Sequence, residues 1–404
     1  MAGLSVLVRN SAGSLTLATF IYPMSEELGW SRSLIAGAAS LGGLAASAAS
    51  PLVGWMVDRY GARTVLTVAV LVLGLSTFSL AWATVPIAFY VALATGRVIF
   101  SSPIQIASTV VVSRWFVRLR GRATGLLFMS HAVGMSTFPL LSAFVIANWG
   151  WPRSWMVLGV LVWVLGLIPV SLLVIQRPED VGLRPDGDPQ PAEEESKARE
   201  DHGEVQWSTR EAIRTAALWV LALAGGALFM VQAGVNIHLG AFFRDQGLSI
   251  AVSTLGVSLN GAFMGVGSLF WGWLVERAPV RYVYAATALL MGVVAALFPM
   301  VDAPWKALAL SAAMGAGLGG SLVVPSVAYA QYFGRRSLGT IRGLTEPFVS
   351  LGQAVGAILS GVVFDLTGSY TAAFLAFGAL AGATAVATFL TRRPRHPRSA
   401  ASAS

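Results

Sequence analysis

Twelve times along its length the chain runs for about twenty residues with almost no charge, the length an α-helix needs to cross the hydrocarbon core of a bilayer. The runs are 4–24, 33–57, 65–83, 87–112, 123–147 and 154–175, then 218–243, 252–275, 283–301, 307–332, 344–364 and 372–390. Each is continuously apolar rather than alternating, which predicts helices and argues against a barrel. Only 11% of the 404 residues are charged, where a soluble domain carries roughly 25%. The chain therefore reads as an all-α membrane protein embedded in lipid. Its 43 glycines suit that class, because small residues let membrane helices approach closely. There is no cysteine, so disulfides, thiol catalysis and thiolate metal sites are excluded. No cofactor, metal site or catalytic group is expected.

The basic residues are placed unevenly. The short loops after the second, fourth, eighth and tenth runs, with the C-terminal tail, hold fifteen Lys and Arg. The opposite ends hold four: Arg32, Arg153, Arg244 and Lys306. Cytoplasmic loops carry the basic excess, so both termini are expected in the cytoplasm, with the chain in a bacterial inner membrane. The net charge of +8 is then a topology signal, and no nucleic-acid partner is expected. The first run carries Arg9 and Asn10 without a basic leader, so it reads as a span and not as a cleavable signal sequence. It begins so near Met1 that a start further upstream stays open.

Residues 177–214 are rich in Pro, Asp and Glu, with Glu193, Glu194 and Glu195 at the centre. Such a composition cannot bury a core. It predicts a cytoplasmic linker between two six-helix bundles, 1–176 and 215–391. The tail, 392–404, is expected to be a disordered basic end touching anionic headgroups.

The two halves share a phrase. Gly54, Asp58, Arg59, Gly61 and Arg63 recur 218 positions later as Gly272, Glu276, Arg277, Pro279 and Arg281. The same offset holds back through Gly43/Gly261, Ser31/Ser249 and Gly29/Gly247. Two related halves in a membrane are the usual basis of a carrier that rocks about a central site. Gly54 permits close helix approach and Gly61 a tight turn. An acid at a helix end can pair with loop arginines or with the N-terminus of a neighbouring helix. The phrase therefore reads as a gating latch. Glu276 and Pro279 depart from the first copy, so the first copy is expected to carry more of the gating.

The phrase Gly54 to Arg63 resembles the signature loop of the major facilitator superfamily. Residues 25–32, 114–123, 332–343 and 365–370 are similar to the bacterial monocarboxylate porter and oxalate/formate antiporter group within it, over nearly the whole chain. The resemblance implies twelve helices in two pseudo-symmetric six-helix bundles and a secondary transporter, monomeric by default, not an enzyme. It has departures. The porters have an Asp/Arg pair in the eighth span, where 252–275 offers only Asn260 as a strong polar group. The oxalate exchanger type has an Arg there and a Lys in the eleventh, where 344–364 has Glu346 and Gln353 but no Lys. The drug-antiporter signature of the fifth span is incomplete, with Gly125, Gly134 and Pro139 but not its glycine-rich ending. Efflux of hydrophobic compounds is the second reading.

In that fold, spans 1, 4, 7 and 10 line the cavity, helped by 2, 5, 8 and 11. Arg97 falls near mid-span, about 15 Å from the end of its helix. A charge there costs at least roughly 2.5 kcal/mol and marks function by default; the alternative is an arginine bonded to backbone carbonyls. Arg9 either faces the cavity or snorkels. Two guanidiniums would offer bidentate sites for a carboxylate. The other cavity candidates are Asn10, Gln105, His131, Asn236, His238, Asn260, Tyr329 and Gln353. No carboxylate is placed at mid-membrane: Glu346 is expected near the end of its span as an ion pair with Arg342, part of the gate. These residues predict a carrier of a small organic anion, a monocarboxylate first, by symport or exchange. Any proton coupling falls to His131, His238, Glu346 or the substrate carboxylate.

Overall fold

The computed structural model of the chain describes residues 1–187 and 206–396, without the side chains of Arg32 and Ser33. The acidic run at 193–195 and the tail from 397 lie outside the described residues. Among the described residues, eleven helices are long and apolar enough to cross a membrane. One of them, Arg120–Leu173, has 54 residues, about 80 Å at 1.5 Å per residue, far more than a hydrocarbon core of about 30 Å. It turns at Gly150, whose φ of +82° and ψ of 165° suit glycine alone. It is therefore two spans, and the total is twelve.

The spans are α1 (Ala2–Leu28), α2 (Leu34–Tyr60), α3 (Ala62–Trp82), α4 (Pro86–Trp115), α5 (120–149) and α6 (151–173) in the first half. The second half has α7 (Ala216–Asn236), α8 (Ile250–Leu274), α9 (Val280–Met300), α10 (Pro304–Phe333), α11 (Leu338–Thr367) and α12 (Thr371–Leu390). Three expected continuous spans are broken, one of them α4 at Ser102, whose φ of −122° and ψ of −74° are not helical. In α1, Arg9–Ala12 tighten into a 3-10 turn and Gly13 is extended, with ψ 155°. The cause is local: the Asn10 carbonyl accepts from the Gly13 N–H at 3.0 Å and from the Thr16 hydroxyl at 2.6 Å. Short polar side chains compete in this way with the helix ladder. The seventh span stops at Asn236 and resumes as Leu239–Asp245 beyond His238.

The 218-residue repeat is built into matching geometry. Gly29 and Gly247 both hold left-handed φ, +66° and +76°, just before α2 and α8. Ser31 and Ser249 then cap those helices, accepting from Leu34 N at 3.2 Å and Val252 N at 3.3 Å. A Cβ on Gly54 would fall on the Gly339 carbonyl oxygen, and one on Gly272 on that of Gly121. So α2 packs on α11 and α5 on α8, backbone to backbone, which is the benefit of small residues between membrane helices. These contacts lie at the end that bears the basic loops, called the basic face here. Further from it along the same helices, a Cβ on Gly43 or Gly261 would meet nothing within 4 Å. The copies differ at one turn. Gly61 enters α3 with φ +89°, whereas Pro279 enters α9 with φ −53°.

The two described ends of the central segment are packed on the basic face. Trp207 is 2% exposed; its main-chain N–H donates to the Phe333 carbonyl at 3.1 Å, and its ring meets Phe333 and His396 edge-on. His396 is buried as a result. The tail thus returns to the protein at His396, while Arg392, Arg393 and Arg395 are exposed, which narrows the expectation of disorder from 392. The sequence reading overlooked that an aromatic ring inside a polar linker needs a cover.

Candidate functional site

Two sets of residues stand out, one crossing between the halves at the basic face and one around a cavity directly behind it. At the C-terminal end of α2, the Asp58 carboxylate accepts from Gly339 N at 3.0 Å, Thr340 N at 2.7 Å and Thr340 Oγ1 at 2.7 Å. These groups open α11, where unpaired N–H groups and the helix dipole favour an anion. Arg114 stands 3.9 Å from the same carboxylate. Beyond α8, Glu276 accepts from Arg122 N at 2.7 Å and pairs with Arg122 Nε at 3.0 Å, at the opening of α5. Ser268 Oγ also crosses, donating to the Gly125 carbonyl at 3.0 Å.

The other residues of the repeated phrase stay within their own half or face outward. Arg63 donates to the Ser171 carbonyl at 2.7 Å. Arg277 lies over the Trp273 ring at 4.1 Å, and Arg281 donates to the Tyr282 hydroxyl at 2.6 Å. Arg59 is exposed.

The cavity is walled by α7, α10 and α11 and closed by Gln105 of α4. Its polar lining includes Gln105, Tyr329, Arg342, Thr345 and Glu346, with Phe229 on the apolar side. Arg342 pairs with Glu346 at 3.7 Å and lies over the Tyr329 ring at 5.5 Å. Arg342 follows directly on the α11 turn that Asp58 holds, so the crossing contact and the cavity wall share one helix end.

This placement bears on three expectations. Arg342 and Glu346 do form the expected ion pair, but they line the cavity, so a carboxylate does lie at its wall. Arg97 is absent from the lining: its Nη1 donates to the Ala12 carbonyl at 3.2 Å, at the broken turn of α1. Arg9 does not snorkel. It is buried and donates to the Phe100 carbonyl at 3.2 Å and to Gln105 Oε1. Both guanidiniums rest on the Phe100 ring, at 4.7 Å and 4.9 Å from its centroid. Arg9 and Arg97 thus form a charged layer that reaches the cavity through Gln105. The Nε atoms of Arg9, Arg97 and Arg342 are buried with no hydrogen-bond partner among the described residues.

The remaining candidates hold helices to one another. Asn10 Nδ2 donates to the Val6 and Leu7 carbonyls at 3.2 and 3.1 Å and lies 3.2 Å from His131 Nδ1. Asn236 and Asn260 exchange amide bonds at 3.1 and 3.4 Å, and Asn260 also donates to the Ser311 carbonyl at 3.2 Å. His238 meets the Ala357 carbonyl at 3.0 Å and the Tyr370 hydroxyl at 3.3 Å. Gln353 donates to Gln232 Oε1 at 3.4 Å. Phe100 was missed by the sequence reading, since an aromatic inside an apolar run carries no signal beyond its i+3 spacing from Arg97.

Comparison with known proteins decides the class of molecule. The profile of the Major Facilitator Superfamily matches residues 3–267 and 230–404. The chain belongs to the Major Facilitator Superfamily. Its two pseudo-symmetric six-helix bundles are that superfamily's fold: the human organic anion transporter MFSD10 superposes with a TM-score of 0.69 at 16% identity, over 96% of this chain and 97% of that one. Monocarboxylate transporter 13 of Bos taurus is 32% identical over 169 residues, 40% of each chain. Human monocarboxylate transporter 11 is 28% identical over 82% of this chain and 69% of its own length. The oxalate:formate antiporter of Oxalobacter formigenes is 25% identical over 70% of this chain and 63% of its own. As a member of this superfamily the chain is a membrane-embedded transporter of small molecules, not an enzyme.

Proposed function

We propose that this superfamily member carries a small organic anion, a monocarboxylate in the first instance, by alternating access. The observation that carries the reading is the charge at the centre. Arg342 is paired with the one carboxylate, Glu346, Arg9 and Arg97 lie one layer behind on the Phe100 ring, and each of the three guanidiniums keeps a buried Nε without a partner among the described residues. Buried cations persist when they are paired or await a partner. An anionic substrate supplies that partner, and guanidinium geometry suits a carboxylate. The likeness to monocarboxylate transporters and to an oxalate:formate antiporter supports the same class.

In this reading Arg342, Gln105, Tyr329 and Thr345 contact the substrate, with Arg9 and Arg97 one layer behind. Asn10, His131, Asn236, His238, Asn260 and Gln353 hold the surrounding helices. The moving bodies are residues 1–176 and 215–391, joined by 177–214 and followed by the tail 392–404, in a monomer. Asp58 and Glu276 are the latches, helped by Gly54 and Gly272. The basic loops face the cytoplasm of a bacterial inner membrane, so the structure is closed to the cytoplasm. Transport is by symport or exchange. A proton carried with the substrate rides on Glu346, because His131 and His238 are tied to Asn10 and Tyr370.

The test is counterflow in proteoliposomes loaded with unlabelled pyruvate, lactate, formate or oxalate and given the labelled anion outside. Wild type exchanges at least one of them, and Arg342→Gln and Arg97→Gln abolish exchange at equal protein level. Wild-type exchange in Arg342→Gln sinks the site assignment. Flux of hydrophobic cations with none of these anions would establish the efflux reading instead.

A further inference from the structure

The α4–α5 and α10–α11 turns are each gripped from two sides. From the opposite half come Glu276, on Arg122 N, and Asp58, on Gly339 N and Thr340 N. From behind comes the central segment. The Asp186 carboxylate accepts from the backbone N–H of Val117 at 3.3 Å, Arg118 at 2.9 Å and Leu119 at 3.1 Å. Gln206 Oε1 accepts from Arg335 N and Arg336 N, both at 2.9 Å. Val117 and Arg118 stand 218 positions before Arg335 and Arg336, so the two linker acceptors hold corresponding amides of the two halves.

Asp186 and Gln206 are not copies of each other, because they lie in one segment and the repeat does not relate them. Unrelated residues have therefore been recruited to the same place in each half, which points to a shared requirement at these turns. The backbone of Asp186 supports this. Its φ of +66° makes it the one non-glycine residue with positive φ among the described residues. Such a conformation persists only where its surroundings over-determine it, and here three amides converge on its side chain. On the other side, Gln206 is anchored by its buried neighbour Trp207. The α10–α11 turn also reaches the first half directly, with Arg335 Nη1 donating to the Arg114 carbonyl at 3.0 Å.

We infer that Asp186 and Gln206 are positioning residues of the transport cycle: they hold the two turns so that the latch amides of Arg122 and Thr340 face Glu276 and Asp58, and thereby set how long the basic face stays shut. The latch amides lie only three to five residues beyond the gripped ones, at helix ends whose first turn frays when its approach is not fixed. Release of Asp186 frees three amides and lets the start of α5 turn away from Glu276. Release of Gln206 does the same at α11 and Asp58. The grip of Asp186 is the stronger, since a carboxylate accepts more strongly than a side-chain amide.

This inference rests on the alternating-access reading, and one experiment separates the two. The chain has no cysteine, so Tyr60→Cys and Tyr282→Cys place a pair of spin labels on the two halves at the basic face. Pulsed dipolar spectroscopy on the full-length protein in nanodiscs then reports the fraction with this face open. Asp58→Asn is the reference and is expected to raise the open fraction. Asp186→Ala and Gln206→Ala are expected to raise the open-to-closed ratio about fivefold or more, while Gln206→Glu lowers it. A merely structural role would lower the melting temperature without moving the distances. If Asp186→Ala does not fold, Asp186→Asn, which keeps one acceptor oxygen, is expected to shift the ratio by an intermediate amount. An unmoved distribution in the Asp186 and Gln206 variants beside a shifted Asp58→Asn overturns this inference alone. An unmoved Asp58→Asn overturns the latch reading beneath it.

Discussion

Asp58 and Glu276 stand 218 positions apart, and each accepts a main-chain N–H at 2.7 Å from residues that also stand 218 positions apart, Thr340 and Arg122. One crossing contact has been used twice, with the halves exchanging the roles of acceptor and donor. In each use an acid near the end of the second helix of one half meets the first turn of the fifth helix of the other.

The two uses are unequal. Asp58 takes two amides and a hydroxyl, whereas Glu276 takes one amide and an Arg122 side chain that is 52% exposed. An exposed ion pair contributes about 0–1 kcal/mol, and a hydrogen bond to a charged group about 1.5–3 kcal/mol. Asp58→Asn should therefore slow counterflow by about tenfold or more and Glu276→Gln by less than about threefold. Initial rates at equal protein level measure this, and the reverse order would refute it.

Gly54 is pressed against the Gly339 carbonyl, whereas Gly43 borders open space. Overpacking of this kind costs about 1–3 kcal/mol, which moves a two-state ratio about 5–150-fold. Gly54→Ala should open the basic face, and Gly43→Ala should not. Ser50 is fully buried behind the contact, so a thiol reagent applied to that face should modify Ser50→Cys faster in Gly54→Ala than in Gly43→Ala. Equal rates would count against a closed seam at Gly54.

The Asn236–Asn260 pair ties α7 to α8, and Asn260 extends it to the Ser311 carbonyl on α10. Coupling between such side chains within membranes averages about 0.6 kcal/mol. A double-mutant cycle of Asn236→Ala and Asn260→Ala, read by thermal unfolding in detergent, should return a favourable coupling of about that size. Additive losses would show that the pair is incidental.

At Gly150, φ +82° with ψ 165° belongs to a region essentially closed to other residues. Gly150→Ala should cost about 1–3 kcal/mol and lower the melting temperature, while the KM for counterflow stays unchanged. A KM shift without loss of stability would mean that the α5–α6 turn does more than reverse the chain.

Most of the architecture was legible from the sequence because a bilayer imposes length and polarity on every span. The repeat was legible too, down to Ser31 and Ser249, since caps and turn glycines leave local signatures. The breaks were not. Arg9–Gly13 unwinds because Asn10 and Thr16 rearrange a single turn, and no hydropathy window resolves one turn. The candidate site was half legible: Arg9 and Arg97, in the layer behind the cavity, announced themselves as charges inside apolar runs. Arg342 and Glu346, close to a helix end, read as a gating ion pair until packing showed the cavity beside them. The docking of Asp186 and Gln206 had no sequence signal, because it depends on main-chain amides brought together by the fold.

Phe100 receives both Arg9 and Arg97 on its ring. A ring face offers a quadrupole and no full negative charge, so an unloaded protein keeps a net positive charge at its heart. On the reading proposed above, every empty return must carry that uncompensated charge through a low-dielectric interior. A loaded crossing is spared part of it. The ring thus favours trade over delivery: swapping one anion for another should outpace one-way movement of the same anion down its gradient.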